Sequence, residues 1–216
     1  MLLLQGYDQV RANDLFLRAI DPHFITFSNH LDGLVYASIT TACSCSIKSG
    51  YQFQSYAPYS ARQMEEFSYL PQRCDFWDRW AIGVVILEIL VGTELVLVAT
   101  SYEKVEQLLE HCEEWLDPVM LEIVQALMFD QESPSISELL QKLENAPEDI
   151  VSQTIRRVEA AAFEDATLQC WMRLFEQYME QHMEEAKIRY GVTRRIIRRD
   201  ARMADMEVST EAQSDH

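Results

Sequence analysis

The feature that most constrains this 216-residue chain is a strongly apolar stretch, residues 77–98. Its 22 residues are long enough for a membrane-spanning helix, which needs about 20 apolar residues. However, two charged residues, Glu88 and Glu94, lie inside the stretch, and the uninterrupted apolar run at residues 84–87 is short. We therefore predict a helix that is buried on most of its sides inside a folded domain, and no membrane span.

Helix-start signals follow this stretch at three places. Residues 100–103 (TSYE) and residues 135–138 (SISE) have the spacing of a capping box. Asp117 offers an N-cap, with Pro118 at the first helical position. The chain also has only six glycines and six prolines, which favours helices over a turn-rich all-β fold.

The C-terminal part of the chain contains a long segment in which apolar residues recur with helical spacing. Between about residues 149 and 190, apolar side chains recur every three or four positions, apart from a gap near Asp165. This pattern predicts one long, coiled-coil-like amphipathic helix. Its stripe, which includes Met172, Phe175 and Met179, is either part of a core or a docking surface, and we predict that it is a docking element for a partner protein.

Two short β-prone segments precede the apolar stretch. Residues 24–27 and 34–37 are separated by a turn signal at Asp32 and Gly33, which predicts a β-hairpin. Residues 40–70 show no periodicity and predict a long loop.

The formal net charge of −17 is unevenly distributed along the chain. Residues 1–186 hold a large excess of acids, whereas residues 187–202 hold seven basic residues and one acid. The body should therefore repel nucleic acid and anionic membranes. The basic segment either pairs with this acidic body or binds an acidic protein surface or an RNA backbone. Its candidate contact residues are Arg194, Arg195, Arg198 and Arg199.

The five cysteines do not form a recognisable site. An odd count and scattered spacing favour reduced thiols in the cytoplasm. Cys43 and Cys45 lack the spacing of a zinc site, and no histidine lies close by in sequence. We therefore predict no metal and no cofactor.

Residues 78–92, which read DRWAIGVVILEILVG, resemble a motif of the eukaryotic protein kinases. The family has Asp-x-Trp-Ser-x-Gly-x-(apolar stretch)-Tyr-Glu on its buried F helix, which ends in Gly, and five residues of this chain match it: Asp78, Trp80, Gly83, Glu88 and Gly92. The resemblance implies a structural role for these residues. It also implies that Asp78 binds backbone amides of the loop around Arg18, although Asp78 could instead be a helix-start acid without a special partner.

Other segments are similar to kinase motifs in the same order along the chain. Residues 17–25 (LRAIDPHFI) resemble the catalytic loop, His-Arg-Asp-Leu-Lys-Pro-Glu-Asn-Ile, and residues 34–41 take the place of the strand that leads into Asp-Phe-Gly. Residues 56–59 (YAPY) resemble Ala-Pro-Glu, and residues 133–140 (SPSISELL) resemble Arg-Pro-Ser-x-x-Glu-Leu-Leu. The resemblance covers roughly residues 5–145 and implies the C-terminal lobe of a kinase.

The departures from the family concern the chemical residues. Phosphoryl transfer needs a carboxylate at the attacking hydroxyl, and an amide and a second carboxylate to hold the metal ions. Ala19, Phe24 and Ile39 stand at these three positions. We also expect the upper lobe, with its Gly-rich loop and lysine, to be absent, because a short segment precedes the catalytic-loop match.

A second pair of replacements indicates that the scaffold is retained. The family pairs the Glu of Ala-Pro-Glu with the Arg of Arg-Pro, and Tyr59 and Ser133 stand at these positions. Losing one partner alone would leave a buried unpaired charge at a cost of about 3–5 kcal/mol, whereas losing both avoids that cost.

Taken together, the residues predict a mainly α (α+β) protein with a kinase C-lobe-like domain and a small β-hairpin over residues 1–146. A long helical extension follows over residues 147–190, and a basic segment with a disordered polar tail over residues 191–216. Without an upper lobe, apolar surface should lie bare around Phe24, Ile25, Phe27 and Leu34, and we predict that the C-terminal helix or another protein covers it.

The predicted function is that of a non-catalytic, pseudokinase-like scaffold or structural subunit of a larger protein assembly, in the cytoplasm or on the cytoskeleton. It would bind other proteins through exposed apolar surface and the C-terminal helix. One alternative is an adaptor that binds nucleic acid or an acidic partner through residues 187–202. The other is a kinase completed in trans, against which Ala19 and Ile39 argue.

Overall fold

Helices make up most of the described chain. The structure is a computed structural model that describes residues 2–13, 17, 20, 22, 25–29, 35–39, 71–129 and 134–183. Within these residues it has eight helices and two strands, which confirms the prediction of a mainly helical fold. In chain order they are α1 (Leu2–Ala12), β1 (Ile25–Asn29), β2 (Val35–Ile39), α2 (Pro71–Val91), α3 (Thr93–Val98), α4 (Tyr102–Cys112), α5 (Pro118–Met128), α6 (Ile136–Glu144), α7 (Ile150–Glu164) and α8 (Ala166–Gln181).

The two strands pair antiparallel, with Ile25 opposite Ile39 and Asn29 opposite Val35. Helix α1 packs beside β2. The Ile25 side chain, one of the apolar residues that the sequence predicts to need a cover, belongs to the buried core. The side chains of the other three residues of that predicted surface, the predicted turn at Asp32 and Gly33, and the predicted loop at 40–70 are outside the described residues.

Helix α2 is the central element of the fold. It packs against α3, α4, α5 and α7, and its side chains from Asp78 to Val91 are nearly all buried. None of the described helices is both long and apolar enough to cross a membrane. The predicted apolar stretch, 77–98, forms two helices because Gly92 ends α2 with φ of 97°. That left-handed conformation strains side chains other than glycine.

Helices α2 and α5 approach each other closely at Gly83. A Cβ atom added to this glycine would lie 2.4 Å from Met128 Cγ and 3.2 Å from Leu127 Cβ. Because the first distance is shorter than any tolerated contact between carbon atoms, the observed packing requires glycine at this position.

An aromatic cluster connects α2 to the start of α4 and the end of α5. The fully buried Trp80 stacks on Tyr102 at a centroid distance of 4.6 Å and meets the edge of Phe129 at 5.7 Å. Tyr102 and Phe129 also meet edge to face, at 6.0 Å. Such geometries add to the stabilisation that burial alone provides.

Two of the three predicted helix starts are confirmed as written, and the third is shifted by one residue. Ser135 and Glu138 form a complete capping box at the start of α6, and Asp117 caps α5 by accepting a hydrogen bond from Val119 N. The cap of α4 is Ser101, which accepts from Lys104 N, and not Thr100.

The predicted single long helix is wrong within the described residues, where α7 and α8 are separate helices. They are divided at Asp165, which has an extended backbone (φ −83°, ψ 120°). Asp165 ends α7 and caps α8 by accepting hydrogen bonds from Thr167 N and Leu168 N, so its side chain stabilises the break. Helix α7 packs on α2, and α8 packs on α3 and α7.

Candidate functional site

Asp78 is a fully buried carboxylate in the interior of α2. Its Oδ2 atom accepts a hydrogen bond of 2.7 Å from the backbone N–H of Leu17, a residue that is also buried. Hydrogen bonds to a charged acceptor are short and about twice as strong as neutral ones. Asp78 thus holds the chain that leads into β1 against the central helix.

Asp75 forms a second polar centre, one turn earlier on α2. Its Oδ1 atom accepts from the Tyr7 hydroxyl at 2.8 Å and pairs with Arg11 Nε at 2.9 Å, which attaches α1 to α2. Its Oδ2 atom pairs with Arg79 Nε at 2.9 Å, and the same guanidinium donates to the carbonyl of Pro134 just before α6. Burial first, and the nearby carboxylates next, raise the pKa of the Tyr7 hydroxyl. This hydroxyl therefore stays protonated and acts as a donor.

The structure places the remaining kinase-motif residues unevenly. Trp80 and Glu88 are fully buried on α2, and Gly83 lies at the contact with α5. Ile39 is the last residue of β2. Ala19 and Phe24 lie outside the described residues.

The predicted docking stripe lies on the inner face of α8. Leu168 is fully buried, Met172 packs against the core, and Phe175 and Met179 are half-buried. These residues are spaced by three and four positions, so they share one side of the helix. Of the residues predicted to bind a partner, the four arginines Arg194, Arg195, Arg198 and Arg199 lie outside the described residues.

The opposite side of α8 is a surface that the sequence reasoning missed. We call it the outward ridge, and its members are all exposed: Ala166, Cys170, Leu174, Gln177 and Gln181. The sequence does carry a signal for this surface. It is a second set of uncharged residues, spaced by three and four positions, on the side of the helix opposite the apolar stripe.

His111 and Asp165 join α4 to the junction between α7 and α8. His111 Nε2 lies 2.9 Å from Asp165 Oδ1, and the imidazole meets the edge of Trp115 at 5.4 Å. The Leu168 backbone N–H, and after it the bond to His111, hold the pKa of the Asp165 carboxyl below its usual range. The Asp165 carboxylate is therefore ionised, and in this form it fixes the start of α8.

We expect Asp165→Asn to reduce the pH dependence of stability on the acid side. The pKa of Asp165 is lower in the folded chain, so its contribution is present above the unfolded value and disappears as the pH falls through the folded value. Asparagine is also a good N-cap, so this change removes the charge and keeps the cap. Urea unfolding from neutral pH down to about pH 3 measures the effect.

Asp149 provides the matched control for this experiment. It occupies the N-cap of α7, but its side chain makes no capping hydrogen bond. Asp149→Asn should leave the profile close to that of the wild type. Parallel profiles for the wild type and Asp165→Asn would show that the carboxylate charge does not stabilise the junction.

Among the described residues, no set of three His, Cys, Asp or Glu side chains is arranged to hold a metal ion. Of the two cysteines whose side chains the structure describes, Cys170 is exposed and Cys112 is buried. Burial, with a smaller effect of the Asp165 charge, raises the pKa of the Cys112 thiol to about 12, which makes it a poor nucleophile. Comparisons with protein-family models, curated proteins and solved structures found no match to this chain.

Proposed function

We propose that this chain is a non-catalytic scaffold, similar in architecture to the C-terminal lobe of a protein kinase, that binds other proteins within a larger assembly. The observation that carries the proposal is the buried hydrogen bond from Leu17 N to Asp78 Oδ2. The kinase resemblance implies a bond between the F-helix aspartate and backbone amides around Arg18, the residue next to Leu17. Two motifs recognised separately in the sequence, 61 positions apart, meet in this bond.

The order and packing of the elements support the same proposal. A helix, two antiparallel strands, a central buried helix and four further helices follow one another as α1, β1, β2, α2, α3, α4, α5 and α6. Such an order is what a kinase C-terminal lobe would need, and the buried residues of α2 are those of the F-helix motif.

The proposal excludes phosphoryl transfer on chemical grounds. The reaction depends on positioning and on neutralising charge with metal ions. Ala19, Phe24 and Ile39 provide neither a carboxylate nor an amide at the positions that resemble those of the family. Asp78, in contrast, remains and has a structural partner. A chain of this kind keeps the residues that stabilise the lobe and lacks those that perform the reaction.

A nucleotide-binding experiment tests the non-catalytic half of the proposal. We expect no change in melting temperature with ATP and magnesium, and no phosphate transfer to the chain or to a generic protein substrate. A ligand present at about 100 times its Kd stabilises a protein by about 2.7 kcal/mol, which raises the melting temperature by several degrees. An active kinase domain is the positive control, and a rise of that size for this chain would overturn the proposal.

The basic segment favours a second candidate, an adaptor for nucleic acid. Residues 187–202 hold seven basic residues in a chain of net charge −17. Tagged full-length chain should be isolated from its native cells with its partners, with and without nuclease, beside the variant Arg194→Ala/Arg195→Ala/Arg198→Ala/Arg199→Ala. Protein partners that survive nuclease support the scaffold. Loss of all partners on nuclease treatment and in the variant, with binding that weakens steeply with salt, supports the adaptor.

A further inference from the structure

The outward ridge of α8 is unusual for the surface of this protein. Its five members, Ala166, Cys170, Leu174, Gln177 and Gln181, are exposed and uncharged, although 25% of the chain's residues are charged. Leu174, near the middle of the helix, is 44% exposed. The spacing of four, four, three and four residues keeps them in one line along about 24 Å of helix. These steps stay close to the 3.6 residues of one helical turn, so the five residues form one continuous face along which a second helix can lie.

Two opposite charges lie along one edge of the outward ridge. Arg173 and Glu180 are both exposed, and seven residues, or about two turns, separate them. Neither makes an ion pair with another described residue. The distance along the helix is too long for them to pair with each other, so both charges are available to a partner.

We propose that a second copy of this chain docks on the outward ridge, with the two α8 helices antiparallel. A twofold axis near the middle of the helix brings Arg173 of each copy close to Glu180 of the other, so the same ion pair forms twice. An isologous contact requires this kind of self-complementary surface. A parallel arrangement would instead place like charges side by side, which is unfavourable.

The residues of the outward ridge fit the same arrangement. Leu174 of each copy would pack against the ridge of the other near the axis and become shielded from water. The amide groups of Gln177 and Gln181 can donate and accept hydrogen bonds across the contact. A single helix pair lies at the small end of the range of specific interfaces, so we expect a dimer with a Kd in the micromolar range, on the order of 10 μM. This inference does not depend on the proposed function.

Exchanging the charges at residues 173 and 180 of the full-length chain tests the proposal. Sedimentation equilibrium, with a reductant present to keep the exposed Cys170 as a thiol, gives the Kd of each variant. We expect Arg173→Glu and Glu180→Arg each to weaken dimerisation about tenfold, because each change turns two attractions into two repulsions. The double variant restores opposite charges at both places and should recover the wild-type Kd to within about threefold.

Arg156→Glu is the matched control, since Arg156 is exposed on α7 and lies off the ridge. It makes the same change of net charge and should leave the Kd unchanged. Leu174→Ser should abolish the dimer, while thermal unfolding at low concentration shows that the monomer still folds. A wild-type chain that remains monomeric at about 100 μM would overturn the proposal. So would a double variant as weak as the single ones, or a control that weakens dimerisation as much as Arg173→Glu.

Discussion

Trp80→Ala is expected to lower the free energy of unfolding by about 3–5 kcal/mol. Trp80 is fully buried, and its ring stacks on Tyr102 and meets the edge of Phe129. Truncation removes the contacts that hold α4 and the end of α5 against α2, and it leaves a cavity at the centre of the fold. Since a domain of this size typically has 5–15 kcal/mol of stability, this single change should remove a large part of it.

Two further variants separate the aromatic contact from simple burial. Trp80→Phe keeps a ring that can stack on Tyr102, so it should lose clearly less stability than alanine. Trp115→Ala removes a half-buried tryptophan outside this cluster and should also cost less. Urea unfolding monitored by circular dichroism gives all three values. An equal loss for Trp80→Ala and Trp115→Ala would show that the cluster does not organise the core.

Local rules explain which parts of the fold the sequence predicts. The caps at Ser135 and Asp117 form as predicted because a capping bond involves a side chain and a backbone N–H only two or three residues apart. The burial of residues 77–98 follows from composition, since Glu88 and Glu94 are too costly in a membrane and the apolar side chains are too many for a surface. These features depend on nothing distant in the chain.

The break at Asp165 could not be predicted in the same way. The apolar period continues on both sides of it, and a gap in a helical stripe is not a break by itself. What stabilises the break is a capping carboxylate that also bonds His111, which lies 54 positions earlier on α4. A contact of that range is a result of the tertiary fold, so the sequence pattern favoured one continuous helix.

The orientation of α8 could not be predicted from the sequence either, because it also depends on the tertiary fold. Periodicity shows that Met172, Phe175 and Met179 share a side of the helix, but it does not show whether that side meets the protein's own core or a partner. In the structure this side continues from the buried Leu168 and faces α3 and α7. The polar centre at Asp75 was also missed, because only its contact with Arg79 is local and those with Tyr7 and Arg11 join distant parts of the chain.

Asp78→Ala is the second large effect, expected at about 2–3 kcal/mol because it leaves the buried N–H of Leu17 without its charged acceptor. Asp78→Asn keeps an oxygen that can accept from Leu17 and should cost less. Stability alone would not identify the cause, so hydrogen exchange of the Leu17 amide is the informative measurement. This amide should lose protection in the alanine variant, while amides in the middle of α5 change only through global unfolding.

Asp75→Ala is the control that separates this contact from a general loosening of α2. It removes the acceptor of Tyr7 and Arg11, so α1 should exchange faster while the Leu17 amide stays protected. If Asp78→Ala leaves the Leu17 amide as protected as in the wild type, the hydrogen bond is not what holds the segment before β1. The proposed scaffold would then lose the observation on which it depends. If protection is lost, the buried carboxylate of α2 has a structural role that needs no catalysis to explain why the chain retains it.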